Sequence, residues 1–283
     1  MQTRKQILGV CKALALVTAL ALPQVASAGK GASYASLRNA IATGNRDSIL
    51  AEVERAEKLP CGPCVDLVTP LIDHDDAAVR DVAAWWLAKR GIRDQIRDQM
   101  FERLAGGDAI AARNAAQVLG RFAHPDALMP LELAIHDDAL GDEARVAAAI
   151  AVGDIGDYRG KDVLEAAITS ESAAVREAAA RGLRNIRGNV DAVAVVDLLV
   201  DTEEGVVREA VLTVGALRER SAVGALTDVV RDTTLAATVR RDAAWALGKI
   251  GDGSAREVLK AVEADDASML VRGAARAALQ SLR

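Results

Sequence analysis

The chain has 283 residues, of which 51% are hydrophobic but only 2% aromatic, and it carries 35 Lys and Arg against 40 Asp and Glu. A chain of this length is near the upper limit for one globular core, so it predicts either two domains or an elongated repeat. The acidic balance argues against nucleic acid or an anionic membrane surface as a partner, because both require clustered Lys and Arg.

Residues 1–28 have the pattern of a secretory signal peptide. Three basic residues and an apolar run at 13–22 precede Ala26 and Ala28, which supply the small-x-small pattern that signal peptidase requires. About ten apolar residues are too few to span a membrane. We therefore expect an exported, periplasmic protein without an integral membrane span, and a retained amphipathic anchor is the alternative. Cleavage would leave 32 basic residues against 40 acids, a net charge of −8.

Residues 29–60 predict a helix pair that caps the N-terminus of the fold. The segments YASLRNAIATGN and RDSILAEVERAEKL have helical periodicity but lack the motif that recurs later in the chain. We expect this pair to cover the apolar face of the first repeat.

Cys61 and Cys64 lie in the tetrapeptide Cys-Gly-Pro-Cys, which also occurs in thioredoxin-like oxidoreductases. In those enzymes the first cysteine follows a β-strand, whereas a helical segment precedes Cys61. Two cysteines in an exported protein predict a disulfide, here at the junction of the capping pair and the first repeat. Redox activity and metal binding are the alternatives. Haem attachment is excluded, because Val65 occupies the position of the required His.

A segment containing arginine recurs with a period of about 32 residues. The arginines of its seven copies are Arg80, Arg113, Arg145, Arg176, Arg208, Arg240 and Arg272. In the copies at Arg113 and Arg208 the small and apolar positions lie one residue closer to the arginine than they do in the other copies.

Each copy predicts a helix of about four turns, because Ala and Leu recur at three- and four-residue spacing. A shorter apolar helix precedes each one, and the intervening turns are rich in residues that cap helix starts. A helix pair repeated seven times, with no pair able to bury its own face, predicts an α-solenoid.

The repeated unit resembles the HEAT-like repeat known from phycobilisome lyase subunits. TVRRDAAWALGKIGDGSA at 238–255 matches that pattern almost residue for residue, and the resemblance extends over residues 61–283. It implies an all-α, right-handed superhelix of about seven helix pairs. It also implies a structural ladder of arginines, each of which bonds an Asp or a backbone carbonyl near the turn within a repeat: Arg80, Arg145, Arg176, Arg208, Arg240 and Arg272.

The sequence contains no recognisable catalytic constellation. His74 and His136 lie in equivalent turns two repeats apart, roughly 20 Å along the stack, so they cannot share a metal ion. The chain has no His-Glu dipeptide, the motif that holds iron in the HEAT-like deoxyhypusine hydroxylases. The signal peptide also argues against the bilin attachment of the phycobilisome lyases. We expect no metal and no cofactor.

Trp85 and Trp245 occupy the same position of the repeat, five residues after Arg80 and Arg240. Neighbouring Ala and Leu already fill the core positions, so we expect both indoles at the concave surface, where Trp is a preferred interface anchor. The alternative is that both pack within their repeats. We expect Trp86 to be buried between repeats.

These features together favour a non-enzymatic scaffold or adaptor in the periplasm or cell envelope, which binds a protein partner on its concave face. A solenoid offers a large, pre-organised surface, and the net negative charge favours a partner with basic patches. The alternatives are a thiol–disulfide oxidoreductase, or an accessory subunit of a HEAT-like lyase or oxidoreductase.

Overall fold

A computed structural model describes residues 31–282, and every regular element within that range is a helix. The prediction of an all-α solenoid is confirmed. The predicted signal peptide, residues 1–28, lies outside the described residues. None of the helices between residues 31 and 282 is both long enough and apolar enough to cross a lipid bilayer.

The helices follow one another in eight antiparallel pairs. The first four pairs are α1 (Tyr34–Thr43) with α2 (Arg46–Arg55), α3 (Pro63–Val68, continued by a 3₁₀ turn at Thr69–Asp73) with α4 (Ala77–Leu87), α5 (Arg93–Ala105) with α6 (Ala109–Phe122), and α7 (Leu128–His136) with α8 (Gly141–Ile155). The last four pairs are α9 (Gly160–Ala167) with α10 (Ala173–Leu183), a 3₁₀ helix (Val193–Val200) with α11 (Glu204–Leu217), α12 (Val223–Arg231) with α13 (Ala237–Ile250), and α14 (Arg256–Asp265) with α15 (Met269–Ser281). Short 3₁₀ turns lie at Pro125–Ala127, Asp138–Leu140, Arg220–Ala222 and Gly253–Ala255.

Side-chain caps and left-handed residues set the limits of several helices. The Asp76 carboxylate accepts hydrogen bonds from the N–H groups of Ala78 and Val79 at 2.8 and 3.2 Å, so α4 begins after Asp76. At the other end, α13 stops at Gly251, whose φ of 77° suits glycine. The turns that look merely polar in sequence therefore terminate helices at defined residues.

The second helix of each pair packs tightly against the second helices of its neighbours. A Cβ atom at Gly153 would lie only 2.7 Å from Gly182 Cα, so α8 and α10 meet backbone to backbone. Gly248 of α13 is similarly close to α15, where a Cβ atom would lie 2.8 Å from Ala278 Cα. Small side chains thus let these helix axes approach closely.

The first helices of successive pairs contact each other far less extensively than the second helices do. A stack whose helices are closer together in one layer than in the other must curve toward the closer layer. The second helices α2, α4, α6, α8, α10, α11, α13 and α15 therefore form the inner, concave layer, and the first helices form the outer layer.

The two ends of the stack differ from its middle. Leu37, Ile49 and Val53 of α1 and α2 are buried against the following pair. At the other end, Arg276 of α15 occupies the repeat position at which the preceding inner helices bury a small residue. In α13, for example, this residue is Ala244. A polar residue at this position gives the last described helix a face suited to solvent.

Candidate protein-docking surface on the inner helices

One position of the repeat faces out of the concave layer in each of the seven inner helices from α4 to α15. The residues at this position, named here the concave stripe, are Trp85, Gln117, Ile150, Arg181, Leu212, Trp245 and Ala277. All of them are exposed or half-buried, whereas the residues next to Trp85 and Trp245 in sequence are fully buried. The structure therefore places both tryptophans on the concave surface.

Trp85 is half-buried in a cleft of about 530 Å³ between α2, α4 and α6, named here the N-terminal cleft. The Lys89 ammonium group lies 3.8 Å from the centroid of the indole and also pairs with Glu57. Asp81 and Arg121 form a second ion pair at the edge of this cleft. One face of the Trp85 indole is consequently covered by a cation of the protein itself.

Trp245 is more accessible, with 38% of its surface exposed. It lies in a groove of about 490 Å³ between α11, α13 and α15, named here the C-terminal groove. The groove is lined by Leu212, Arg241, Asp242, Trp245, Gly248, Lys249, Ala274, Ala277, Ala278 and Ser281. The indole packs on Gly215, where a Cβ atom would lie 2.8 Å from Trp245 Cζ3. This contact positions the ring while leaving part of it open to solvent.

Ion pairs neutralise much of the charge on the concave surface. Arg113 of α6 contacts Glu143 of α8 at 3.1 Å, and Arg208 of α11 contacts Asp242 of α13 at 3.1 Å. Charges on neighbouring inner helices are therefore balanced at these two places along the concave surface. Many exposed acids lie in the turns within the pairs, for example at Glu203.

Arg176 connects the turn of its own pair to the turn of the next pair. One of its nitrogens, Nη1, donates to the carbonyls of Ser170 and Glu171 at 2.8 and 2.9 Å. Its Nε and Nη2 donate to the two carboxylate oxygens of Asp201 at 2.8 and 2.9 Å. The hydrogen bonds from Arg176 hold the pKa of Asp201 below its ordinary value, against the opposite effect of burial.

The same arrangement recurs at the C-terminal end of the stack. Arg240 donates to both oxygens of the Asp266 carboxylate, at 3.0 and 3.2 Å, and this ion pair is buried. Burial alone would raise the pKa of Asp266, but the hydrogen bonds from Arg240 and from the Ser268 N–H lower it overall. In α15, Arg272 donates to the carbonyls of Asp266 and Ala267 at 2.6 and 3.2 Å.

Two further ladder arginines use different acceptors in the following pair. Arg80 is buried, donates to two carbonyls of the preceding turn and bonds Gln117 Oε1 at 2.9 Å. Arg145 donates to the Ser170 hydroxyl at 3.1 Å. A carboxylate, an amide or a hydroxyl can therefore accept this hydrogen bond.

Arg208 departs from the ladder expected for it. Its side chain is 46% exposed and donates to Asp242 on the next inner helix, rather than to a turn. The cause is the shift of one residue noted in this copy, which rotates Arg208 by about 100° around the helix axis. Arg113, in the other shifted copy, likewise pairs with Glu143 on the neighbouring inner helix.

Four buried polar residues of the inner layer lie outside the arginine ladder and were not predicted: Asn114, Glu209, Thr213 and Asp242. Glu209 accepts a hydrogen bond from Arg184 at 2.6 Å, and Asp242 accepts from both Arg208 and Arg241. Asn114 and Glu209 could have been predicted from the sequence, because each directly follows the arginine of a copy that is shifted by one residue.

Cys61 and Cys64 lie just before and at the start of α3, with their Cα atoms 5.3 Å apart and their sulfur atoms bonded. Cys64 is fully buried, whereas Cys61 is half-buried. The pair is preceded by α2 and followed by α3, so it lacks the strand–helix setting of a thioredoxin-like site. The bond closes a short loop at the junction between the first and second helix pairs.

No grouping of three or more His, Cys, Asp or Glu side chains within residues 31–282 is arranged to hold a metal ion. The His74 ring accepts a hydrogen bond from the Asp76 N–H at 3.0 Å, and the His124 ring accepts one from the Asp126 N–H. Both rings thus stabilise turns.

Comparison with solved structures places the fold among helical-repeat proteins. YibA of Escherichia coli is 18% identical over 88% of this chain and 92% of its own, with a TM-score of 0.54. Human deoxyhypusine hydroxylase in complex with glycerol is 20% identical over 88% of this chain and 97% of its own, with a TM-score of 0.39. The CpcE–CpcF complex of phycocyanin lyase from Nostoc is 21% identical over 77% and 94%, with a TM-score of 0.42. At this low identity, the likeness to YibA shows the fold alone.

No curated protein matches the chain significantly in sequence. Residues 141–214 and 207–280 match the family model of HEAT repeats. Similar helices continue toward the N-terminus, from α7 (Leu128–His136) back to α3, which begins at Pro63. The chain therefore contains HEAT repeats over residues 141–280.

Proposed function

We propose that the protein is a non-enzymatic scaffold whose concave surface docks a protein partner. The observation that carries this proposal is Trp245, a large aromatic side chain held at the concave surface by Gly215 and 38% exposed. Aromatic side chains that are fixed in place and partly open to water are characteristic hot spots of protein interfaces.

The packing of the inner layer supports the same proposal. Close backbone contacts, such as that between Gly153 and Gly182, fix the spacing of the inner helices. A surface that is already ordered loses little conformational entropy on association, so more of the contact energy appears as affinity.

The two tryptophans differ in what they can contribute. Lys89 covers one face of Trp85 at 3.8 Å, whereas Lys249 lies 5.9 Å from the centroid of Trp245. A partner would have to displace Lys89 to stack on that face of Trp85. We therefore assign Trp245 the larger share of the binding energy.

The same proposal places the protein in the periplasm or cell envelope. Its support is the signal-peptide pattern of residues 1–28 and the pairing of Cys61 with Cys64, which suits an oxidising compartment. Basic patches of a partner would face the acidic turns within the pairs. The intact mass of the secreted protein would show cleavage after Ala28.

Affinity capture from a periplasmic extract tests the docking proposal. The Trp85→Ala/Trp245→Ala variant should recover at least about tenfold less of the partner than the wild type, since removal of hot-spot residues costs 2 kcal/mol or more each. The matched control is Met129→Ala/Leu133→Ala, which removes two exposed apolar residues from the outer layer and should recover the wild-type amount.

Circular dichroism and thermal melting of both variants establish that they are folded. Undiminished capture by the folded tryptophan variant would refute docking on the concave surface, as would loss of the partner in the outer-layer control alone.

A further inference from the structure

The C-terminal groove has a local charge opposite to that of the whole chain. Within the described residues, its lining includes two cations, Arg241 and Lys249, and a single carboxylate, that of Asp242. This carboxylate is buried and already accepts hydrogen bonds from both Arg208 and Arg241, at 3.1 and 2.6 Å. A single carboxylate therefore balances the charge of two guanidinium groups, and Lys249 adds a third positive charge.

The rest of the groove is apolar and shallow. Leu212 comes from α11, Trp245 and Gly248 come from α13, and Ala274 and Ala277 come from α15. Small residues on a helix let the backbone of another segment approach closely. The groove thus combines an aromatic side chain, several small residues and an excess of positive charge.

From these features we infer that the C-terminal groove binds an acidic segment of a partner protein. In this segment an apolar side chain packs against Trp245, and a neighbouring Asp or Glu lies between Arg241 and Lys249. The inference rests on the proposed docking function and specifies its chemistry at one end of the concave surface.

The charge of the whole chain does not override this local preference. Charges farther apart than about 8 Å are largely screened at physiological ionic strength, so the residues lining the groove dominate the interaction with a docked segment. The N-terminal cleft provides the contrast, because it is lined by Glu54, Glu57 and Asp81 with Arg121 as the cation in its lining. The same acidic segment should therefore avoid Trp85.

The experiment uses the mature protein and three blocked hexapeptides as probes: Glu-Asp-Leu-Phe-Glu-Asp, its Gln/Asn counterpart, and Lys-Lys-Leu-Phe-Lys-Lys. The readout is the indole N–H signals of the three tryptophans in a nitrogen–proton correlation spectrum. Trp86 is buried and donates to the Ala56 carbonyl at 3.0 Å, so its signal is an internal reference. The acidic peptide should shift the Trp245 signal in a saturable manner, and the Gln/Asn and Lys peptides should bind several-fold more weakly.

Lys249→Glu should lower the affinity for the acidic peptide roughly threefold to tenfold, which is the range of one or two exposed charge interactions. Its matched control is Lys89→Glu, the equivalent position beside Trp85, which should leave the affinity unchanged. Both lysines are exposed, so neither variant removes a core contact.

Equal or tighter binding of the Lys peptide, a shift at Trp85 instead of Trp245, or no shift at millimolar peptide would each overturn the inference. If the acidic peptide does not bind while capture of a partner still depends on Trp245, the chemistry assigned to the groove is wrong and the docking function stands. If both fail, the docking function is wrong as well.

Discussion

At the scale of single residues, the stack is connected by arginines that bond two successive turns at once. Arg176 and Asp201 are the clearest example, because both side chains are largely buried and the pair is bidentate. A guanidinium offers several donors in a fixed plane, which lets one side chain satisfy carbonyls on one side and a carboxylate on the other.

Replacing Arg176 by Ala should lower the free energy of unfolding by roughly 3 kcal/mol, because it leaves the Asp201 carboxylate without its partner in a largely buried site. Urea denaturation followed by circular dichroism measures this change. The control is Arg159→Ala, which removes an exposed arginine paired with Asp157 and should cost at most about 1 kcal/mol. Equal effects of the two substitutions would show that the ladder does not stabilise the stack.

The lowered pKa of Asp201 predicts a pH dependence. A carboxylate with a lowered pKa in the folded state stabilises the fold above its unfolded pKa of about 4, and this contribution is lost as the pH falls through the folded pKa. The wild type should therefore exceed Asp201→Asn in free energy of unfolding by a constant amount between about pH 5 and 8. The difference should shrink below about pH 4, and a difference that grows on acidification would contradict the assignment.

At the scale of helices, the period of the motif and its flanking turns were enough to predict the pairs and their order, because packing repeats with the sequence. The acceptors of the ladder could not be predicted in this way. Gln117, Ser170 and Asp201 differ in residue type, and only the stacking of neighbouring pairs brings each one to its arginine.

The helix predicted near residue 195 is another limit of sequence reasoning. The structure has a 3₁₀ helix at Val193–Val200 in place of an α-helix. Three of its first four residues are valines, and β-branched side chains crowd the preceding turn of an α-helix. The apolar pattern predicted a helix here but could not distinguish the two helix types.

The glycines of the inner layer lead to a prediction about packing. Gly153→Ala should lower the free energy of unfolding by roughly 1–3 kcal/mol, because the new Cβ would lie 2.7 Å from Gly182 Cα and the helices would have to separate. Gly273→Ala is the control, since nothing lies within 4 Å of a Cβ there; it should be neutral or stabilise the protein by up to about 1 kcal/mol. Urea denaturation of both variants distinguishes crowding from helix propensity.

At the scale of the whole molecule, the fold separates stability from recognition. The ladder and the glycine contacts lie between the layers or between neighbouring helices, whereas most of the concave stripe faces solvent. Two stripe residues take part in both: Gln117 accepts a hydrogen bond from Arg80, and Trp245 packs on Gly215. At its other positions the stripe can differ from repeat to repeat, for example between Trp85 and Ile150, without altering the stack. The repeat pattern identified the position of the two tryptophans. It could not show that Lys89 covers Trp85 or that Trp245 packs on Gly215, because both contacts depend on tertiary packing.

Photo-crosslinking in the cells that produce the protein tests concave docking most directly. Benzoylphenylalanine is placed at Ile150 or Ala277 in the concave stripe, and at Met129 or Leu133 in the outer layer, so that Trp245 itself stays intact. All four side chains are exposed, which makes the positions comparable. Docking on the inner helices predicts adducts with one and the same partner from Ile150 and Ala277 and none from the outer pair. Adducts formed only from Met129 or Leu133 would contradict it.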